Sequence, residues 1–190
     1  GSFPSGHATG AYLGGVALAT LLPELAPSIL ARTSEQGNSR IVLGVHYPLD
    51  VIGGRMDGEA GVASRWSDVQ YRKEVLAPAR QELVAYLEKE CGGTLAECIA
   101  KQAPYENDPY AGAVIPGGSS QTVTNDLSAV STYTERLTYG APLVGTTGLA
   151  PAVPAGAANL LITTFPTLTP AQRSEVLGQT EIQSGYPLDM

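Results

Sequence analysis

The sequence predicts an all-α fold, a helical-bundle core followed by a loop-rich carboxyl-terminal extension carrying little strand, and three observations carry that prediction. The apolar run over residues 11–22 has almost no polar face and stops at Pro23. Two later stretches open on helix-start chemistry, one at Pro48 and one at Thr94 with Glu97 three residues beyond it. Only one short stretch, residues 159–165, reads as a strand in its own right.

In chain order, the helical pattern begins at Ser5. Ala11, Leu13, Val16, Ala17, Ala19, Thr20 and Leu21 leave hardly a polar face, so this helix is expected inside a bundle. Pro23 and Pro27 end or bend it. Residues 33–38, with Gly37, read as a polar loop. Residues 41–45 pass for a strand in isolation, but their neighbours favour helix. From Pro48 a helix runs through Asp50, Val51 and Ile52 into Gly53, Gly54, Gly58 and Gly61. Each glycine costs a helix about 1 kcal/mol relative to alanine, so their number predicts close packing against another backbone.

Ser67 with Gln70 resembles a capping box. Val69, Val75, Leu76, Leu83, Val84 and Leu87 then mark an amphipathic helix to about Glu90, with a kink expected at Pro78. Thr94 and Glu97 start a short helix ending near Gln102. After Pro104 the composition turns to Gly, Pro, Ser, Thr and Tyr, with residues 115–120 the clearest linker-like segment. We therefore divide the chain into a helical core at 1–103 and an extension at 104–190 packed on it or linked to it. Within the extension, 126–139 reads as a helix capped at Asp126, and Thr169-Pro170 opens a last one running to about Leu177.

Composition removes several classes of function. Eleven Lys and Arg against eighteen Asp and Glu give a net charge of -7 and a pI near 4.7, which leaves no positive surface for nucleic acid. A basic membrane-surface patch is excluded on the same ground, and the longest apolar run falls short of the ~20 residues a spanning helix needs. Cys91 and Cys98 are the whole thiol inventory and flank a Gly92-Gly93 turn. A bridge there would contribute about 2 kcal/mol by closing a short loop and would imply an oxidising compartment. Trp66 reads as a core or interface anchor, and Tyr105, Tyr110, Tyr133 and Tyr139 either pack the extension or line a substrate mouth.

The chemistry-bearing residues form two blocks, Pro4-Ser5-Gly6-His7 and Ser39-Arg40 with His46 and Asp50, and they contain the only two histidines in the chain. Covalent hydrolysis of a phosphate ester needs a nucleophile, an acid for the departing alkoxide and donors for the phosphoryl oxygens. Ser5 and the N–H groups around Gly6, at the start of a helix, suit the oxygens, and Arg40 offers a planar fork for two more. His7 stands where a proton donor is needed. His46 and Asp50 are one helical turn apart, so the carboxylate can orient one ring nitrogen while the other attacks phosphorus.

These two blocks resemble the second and third signature motifs of the type 2 phosphatidic acid phosphatase family, whose superfamily includes bacterial class A acid phosphatases and vanadium haloperoxidases. The resemblance covers roughly residues 1–60. It implies a phosphomonoester hydrolase working through a phosphohistidine on His46, with Asp50 its partner, His7 the general acid, and Ser5, Gly6 and Arg40 the phosphate ligands. It implies no metal and no cofactor in the phosphatase branch, and vanadate in the haloperoxidase alternative. A lipid phosphatase and a non-catalytic anion-binding module are the remaining alternatives. The expected partner is a small phosphorylated substrate and the expected location periplasmic or secreted; oligomeric state is not legible.

The family's first motif, a Lys, six residues and then Arg-Pro, has no match ahead of Pro4, and its place is expected upstream of Gly1. Losing even one preorganised charge donor costs on the order of 10²- to 10³-fold in rate, so the chain alone is expected to be weakly active or inactive. Lys73 and Arg80 share the first motif's separation but read as charges on a solvated helix face.

Overall fold

The computed structural model describes residues 2–115 and 118–188. Helices α1 (Gly6–Leu21), α2 (Ala26–Val42) and α3 (Pro48–Ser67) form the body. A short α4 (Val69–Tyr71) leads through a π-helical turn at Arg72–Leu76 into α5 (Ala77–Cys91), followed by α6 (Leu95–Ala100), α7 (Asp126–Thr138) and α8 (Pro170–Thr180). Among the described residues there is no strand, only an isolated antiparallel bridge between Asn107 and Val123. The linker reading of 115–120 includes Pro116 and Gly117, which lie outside the described residues.

α1 and α3 run parallel and nearly touch. A Cβ placed on Gly54 would lie 2.6 Å from the Ser5 carbonyl oxygen, and one on Gly58 would lie 2.9 Å from that of Thr9. The Thr9 hydroxyl donates to Asp57 at 3.2 Å, in the same register. Of the four glycines predicted to sit against another backbone, Gly54 and Gly58 do so, whereas Gly53 meets the Phe3 ring and Gly61 the Leu13 side chain. α2 crosses back antiparallel, with Gly37 over Val51 and Tyr12 near the start of α1 and Thr33 against Gly15 further along it. Tyr12, Val16, Val62, Trp66 and Leu76 form the main core, and the Trp66 indole donates to the buried Thr20 hydroxyl at 3.3 Å.

Several expectations are corrected. Residues 33–38 are not a loop but the middle of α2, because Thr33, Ser34, Gly37 and Asn38 are all buried there; small and polar side chains fit a helix–helix contact that their composition disguises. α1 is buried on one side only: Leu13 and Leu18 are exposed, and Gly10 and Gly14 meet open space, since the described helices cover only the flank facing α2 and α3. Residues 159–165 are no strand: a 3₁₀ turn spans Ala157–Leu161, with no neighbouring strand to pair with. Instead Leu160 and Ile162 pack on the core, and the buried Arg173 of α8 donates to the carbonyls of Ala158 at 3.1 Å and Phe165 at 3.4 Å.

The helix after α3 is capped by Asp68, whose carboxylate accepts from the Tyr71 N–H at 3.0 Å, rather than by Ser67. Ser67 is still helical and donates back to Ala63. Of residues 41–45, Ile41 and Val42 end α2 and the rest form a turn. The π-helical turn ends one residue before Pro78 and contains Glu74, whose carbonyl, four residues back, the proline ring crowds while giving no N–H. Thr94 and Glu97 do form the expected capping box, α7 is capped by Asn125, one residue ahead of Asp126, and Thr169 caps an α8 that continues to Thr180. Cys91 and Cys98 are joined by a disulfide between α5 and α6.

Candidate active site

The amino-terminal ends of α1 and α3 and the carboxyl-terminal end of α2 meet at one end of the three-helix body. Each brings part of a motif. Ser5 is fully buried and caps α1, its hydroxyl oxygen accepting from the Ala8 N–H at 3.3 Å. A hydroxyl that accepts still has its own proton to donate. The Ser5 N–H in turn donates to the Asp50 carbonyl at 2.9 Å, tying the first motif block directly to the second. Gly6 and His7 follow in the exposed first turn of α1, where helix N–H groups lack intrahelical partners and the dipole favours an anion.

Asp50 is at the third position of α3 and works in two directions. Its Oδ2 accepts from the Tyr47 N–H at 3.0 Å, closing the helix start, and lies 3.2 Å from Nδ1 of His46. The Tyr47 N–H above all, and then the His46 ring, hold its carboxyl below the usual carboxylate range against the opposing effect of desolvation. The Asp50 side chain is 7 % exposed and that of His46 15 %, so the imidazole is oriented from the inside and reachable from outside. An ionised carboxylate on Nδ1 fixes the proton there and leaves Nε2 as the basic nitrogen.

Arg40 lies half-buried in the last turn of α2. Its Nε donates to the Ser39 hydroxyl at 3.3 Å, which itself donates to the Gln36 carbonyl at 2.7 Å. The Arg40 carbonyl accepts from the N–H groups of both Val45 and His46, at 3.1 and 3.2 Å. The interval between Arg40 and His46 is therefore a folded reversal rather than a free loop, and Gly44 supplies its left-handed residue at φ +69. The structure thus brings Ser5, Arg40, His46 and Asp50 together through direct bonds, with Gly6 and His7 adjoining Ser5.

Three contributions were not legible in the sequence reading. The capping role of Asp50 was hidden because a histidine partner already accounted for it, although an acidic residue in the first turn after a proline is a signal for it. The Arg40 carbonyl left no mark on side-chain chemistry. Finally, Phe3, Leu43, Val45 and Tyr47 are exposed apolar residues flanking the motif residues in the chain, Tyr47 at 76 %, and ordinary hydrophobic counting had placed none of them at the surface.

Arg80 is elsewhere. It donates to the Leu21 carbonyl and pairs with Glu24 at 2.6 Å, at the opposite end of α1 and so roughly 24 Å from Ser5. With Lys73 it borders a groove of about 900 Å³ between α5 and residues 162–166, and neither replaces the family's first motif. Among the described residues no three His, Cys, Asp or Glu side chains converge as a metal site, and no single helix is long and apolar enough to cross a membrane.

Comparison with known proteins places similarity in the amino-terminal part of the chain. The family model of the PAP2 superfamily matches residues 1–74. An acid phosphatase of Zymomonas mobilis subsp. mobilis is 39% identical over 83 residues, 44% of this chain and 31% of the relative. Non-specific acid phosphatases of Providencia stuartii and Salmonella typhi are 33% identical over 75 residues and 36% over 83 residues, covering 40% and 44% of this chain and 30% and 33% of the relatives. The chain thus aligns with about a third of the length of these relatives. No solved structure matches it. Residues 1–74, which carry both motif blocks in the arrangement described, are similar to the PAP2 superfamily.

Proposed function

We propose that this chain is the motif-bearing part of a phosphoric monoester hydrolase of the acid-phosphatase type. The observation that carries the reading is the His46 ring held by Asp50 beside the start of α1. In this mechanism Nε2 of His46 attacks phosphorus, the bond from phosphorus to the ester oxygen breaks, and His7 gives its proton to the departing alkoxide. Water then cleaves the phosphohistidine, releasing phosphate and restoring His46. Asp50 keeps Nδ1 protonated and offsets the positive charge of the ring while the phosphoryl group is attached. The first-turn N–H groups of α1, the Ser5 hydroxyl and the Arg40 guanidinium hold the phosphoryl oxygens.

The chemistry needs no metal or cofactor in this form, and the substrate is a small phosphorylated molecule. The names of the relatives, acid phosphatase and non-specific acid phosphatase, support the reaction class. The Cys91–Cys98 disulfide supports an oxidising location such as the periplasm or the exterior. The test is release of phosphate from a chromogenic phosphomonoester at high protein concentration. Slow release is expected from the chain, lost in His46→Ala and inhibited by vanadate. Equal release from the wild type and His46→Ala overturns the proposal; halide oxidation appearing only with added vanadate assigns the same cradle to the haloperoxidase branch instead.

A further inference from the structure

The motif helix α2 is held from outside the 1–74 segment. Along one of its flanks it is met at Ser28, Arg32, Ser34 with Glu35, and Asn38, positions that recur at helical spacing and share a face. Every partner comes from residues 105–136. Ser28 donates to Asp126 at 3.4 Å, and the Arg32 guanidinium lies 5.8 Å from the Tyr105 ring centre. Arg136 of α7, 2 % exposed, spends its fork on α2: one nitrogen donates to Ser34 at 2.9 Å and another to Glu35 at 2.5 Å, while Nε donates to Gln121 at 2.8 Å. Nearest the site, the amide of Asn38, itself fully buried, both donates to and accepts from the Tyr110 hydroxyl, at 3.2 and 3.3 Å.

Docking through buried polar groups is discrete, unlike docking through apolar area alone. A slip of α7 along α2 by one residue leaves the guanidinium of Arg136 buried and unpaired, a cost that a greasy contact does not impose. In addition to its packing on α1, α2 is therefore fixed in place relative to the extension by these bonds. Its last turn carries Ser39 and Arg40, the two residues after Asn38, and the Arg40 carbonyl holds the N–H groups of Val45 and His46.

We propose that the extension is a brace for the anion site: Arg136 and Tyr110 are positioning residues that set where α2 ends, and through it where the Arg40 guanidinium and the His46 backbone sit. The part of this inference that concerns anion affinity rests on the function proposed above; the bracing itself does not.

The test uses the full 190-residue chain and two variants, Tyr110→Phe, which removes one hydroxyl and keeps the ring, and Arg136→Met. Amide hydrogen exchange is read at Val45 and His46 and, for comparison, at Val62 in the middle of α3. Inorganic phosphate binding is followed by the chemical shifts of the His46 ring. Exchange about tenfold faster at Val45 and His46 with Val62 unchanged, and phosphate affinity weakened about tenfold, are expected. Unchanged exchange at Val45 and His46 in both variants overturns the brace, and so does exchange that rises equally at Val62, which marks general destabilisation. Should Arg136→Met fail to fold, Tyr110→Phe decides alone. If the wild type binds no phosphate while exchange still rises locally, the brace stands and the anion-site reading falls.

Discussion

Adding one methyl group to α3 should destabilise the protein where the same change in α1 stabilises it. In Gly54→Ala the new Cβ would lie 2.6 Å from the Ser5 carbonyl oxygen and 3.1 Å from the Thr9 nitrogen. Both are backbone atoms, and the Ser5 backbone is pinned by its bond to Asp50, so no side chain can turn away to make room. Overpacking of this kind costs about 1–3 kcal/mol, with the upper half of that range expected for rigid neighbours. The gain in helix propensity is about 1 kcal/mol, leaving a net loss of about 1–2 kcal/mol. Gly10→Ala is the matched control: Gly10 is in α1, exposed, and has nothing within 4 Å of its would-be Cβ. There only the propensity acts, and a gain of up to about 1 kcal/mol is expected. The single tryptophan, Trp66, is buried in the main core, so urea unfolding followed by its fluorescence reads both variants. If the two midpoints move in the same direction, the parallel α1–α3 contact is not as close as described.

Three other outcomes follow from the same geometry. Because its folded-state carboxyl is held below the ordinary range, Asp50 contributes stability that is complete above that range and is lost as pH falls through it. The stability gap between wild type and Asp50→Asn should therefore narrow as pH falls below about 4, and a gap independent of pH in urea titrations counts against the Tyr47 and His46 bonds. Replacing Cys91 and Cys98 together by serine should cost about 2 kcal/mol and loosen α6, which packs chiefly on α5, with phosphate affinity unchanged; an affinity loss would connect that hairpin to the site. Arg80→Ala breaks a partly exposed pair with Glu24 and should cost at most about 1 kcal/mol. Phosphate binding in isothermal titration should not respond to it, and a large response would connect Arg80 to the site.

The helices with strong local punctuation were legible, and for physical reasons. Pro48, Thr94 with Glu97 and Thr169-Pro170 state their helix starts in side-chain chemistry that acts within one turn. α2 was split wrongly because its buried residues are Thr33, Ser34, Gly37 and Asn38, chosen to fit α1 and the extension rather than to be apolar. Such a face is defined by its partners, which a single segment does not contain. The same holds for residues 157–161: Leu160 and Ile162 suit a strand locally, but the carbonyls around them are taken by Arg173 from α8. In the site, the side chains were readable by type and spacing. The Ser5 N–H, which joins the two motif blocks, and the Arg40 carbonyl, which closes the second, are backbone groups that leave no signature in the sequence.

The glycines of α3 connect the fold to the candidate site more directly than any of its side chains does. Parallel helices place both of their positive ends on the same side, and that arrangement is unfavourable for the dipoles unless a negative group lies between or beside them. With side chains of ordinary size α1 and α3 would sit 8–10 Å apart, axis to axis, and the Ser5 N–H would be too far from α3 to reach the Asp50 carbonyl. Gly54 and Gly58 remove that spacing, and the 2.9 Å bond between Ser5 and Asp50 follows. Two helix starts then lie together at the end of the body where α2 finishes, with the Asp50 carboxylate, 3.2 Å from Nδ1 of His46, as a resident negative charge. The carboxyl-terminal end of α2 and the Asp50 carboxylate supply that negative counterpart, and the same carboxylate turns the His46 ring.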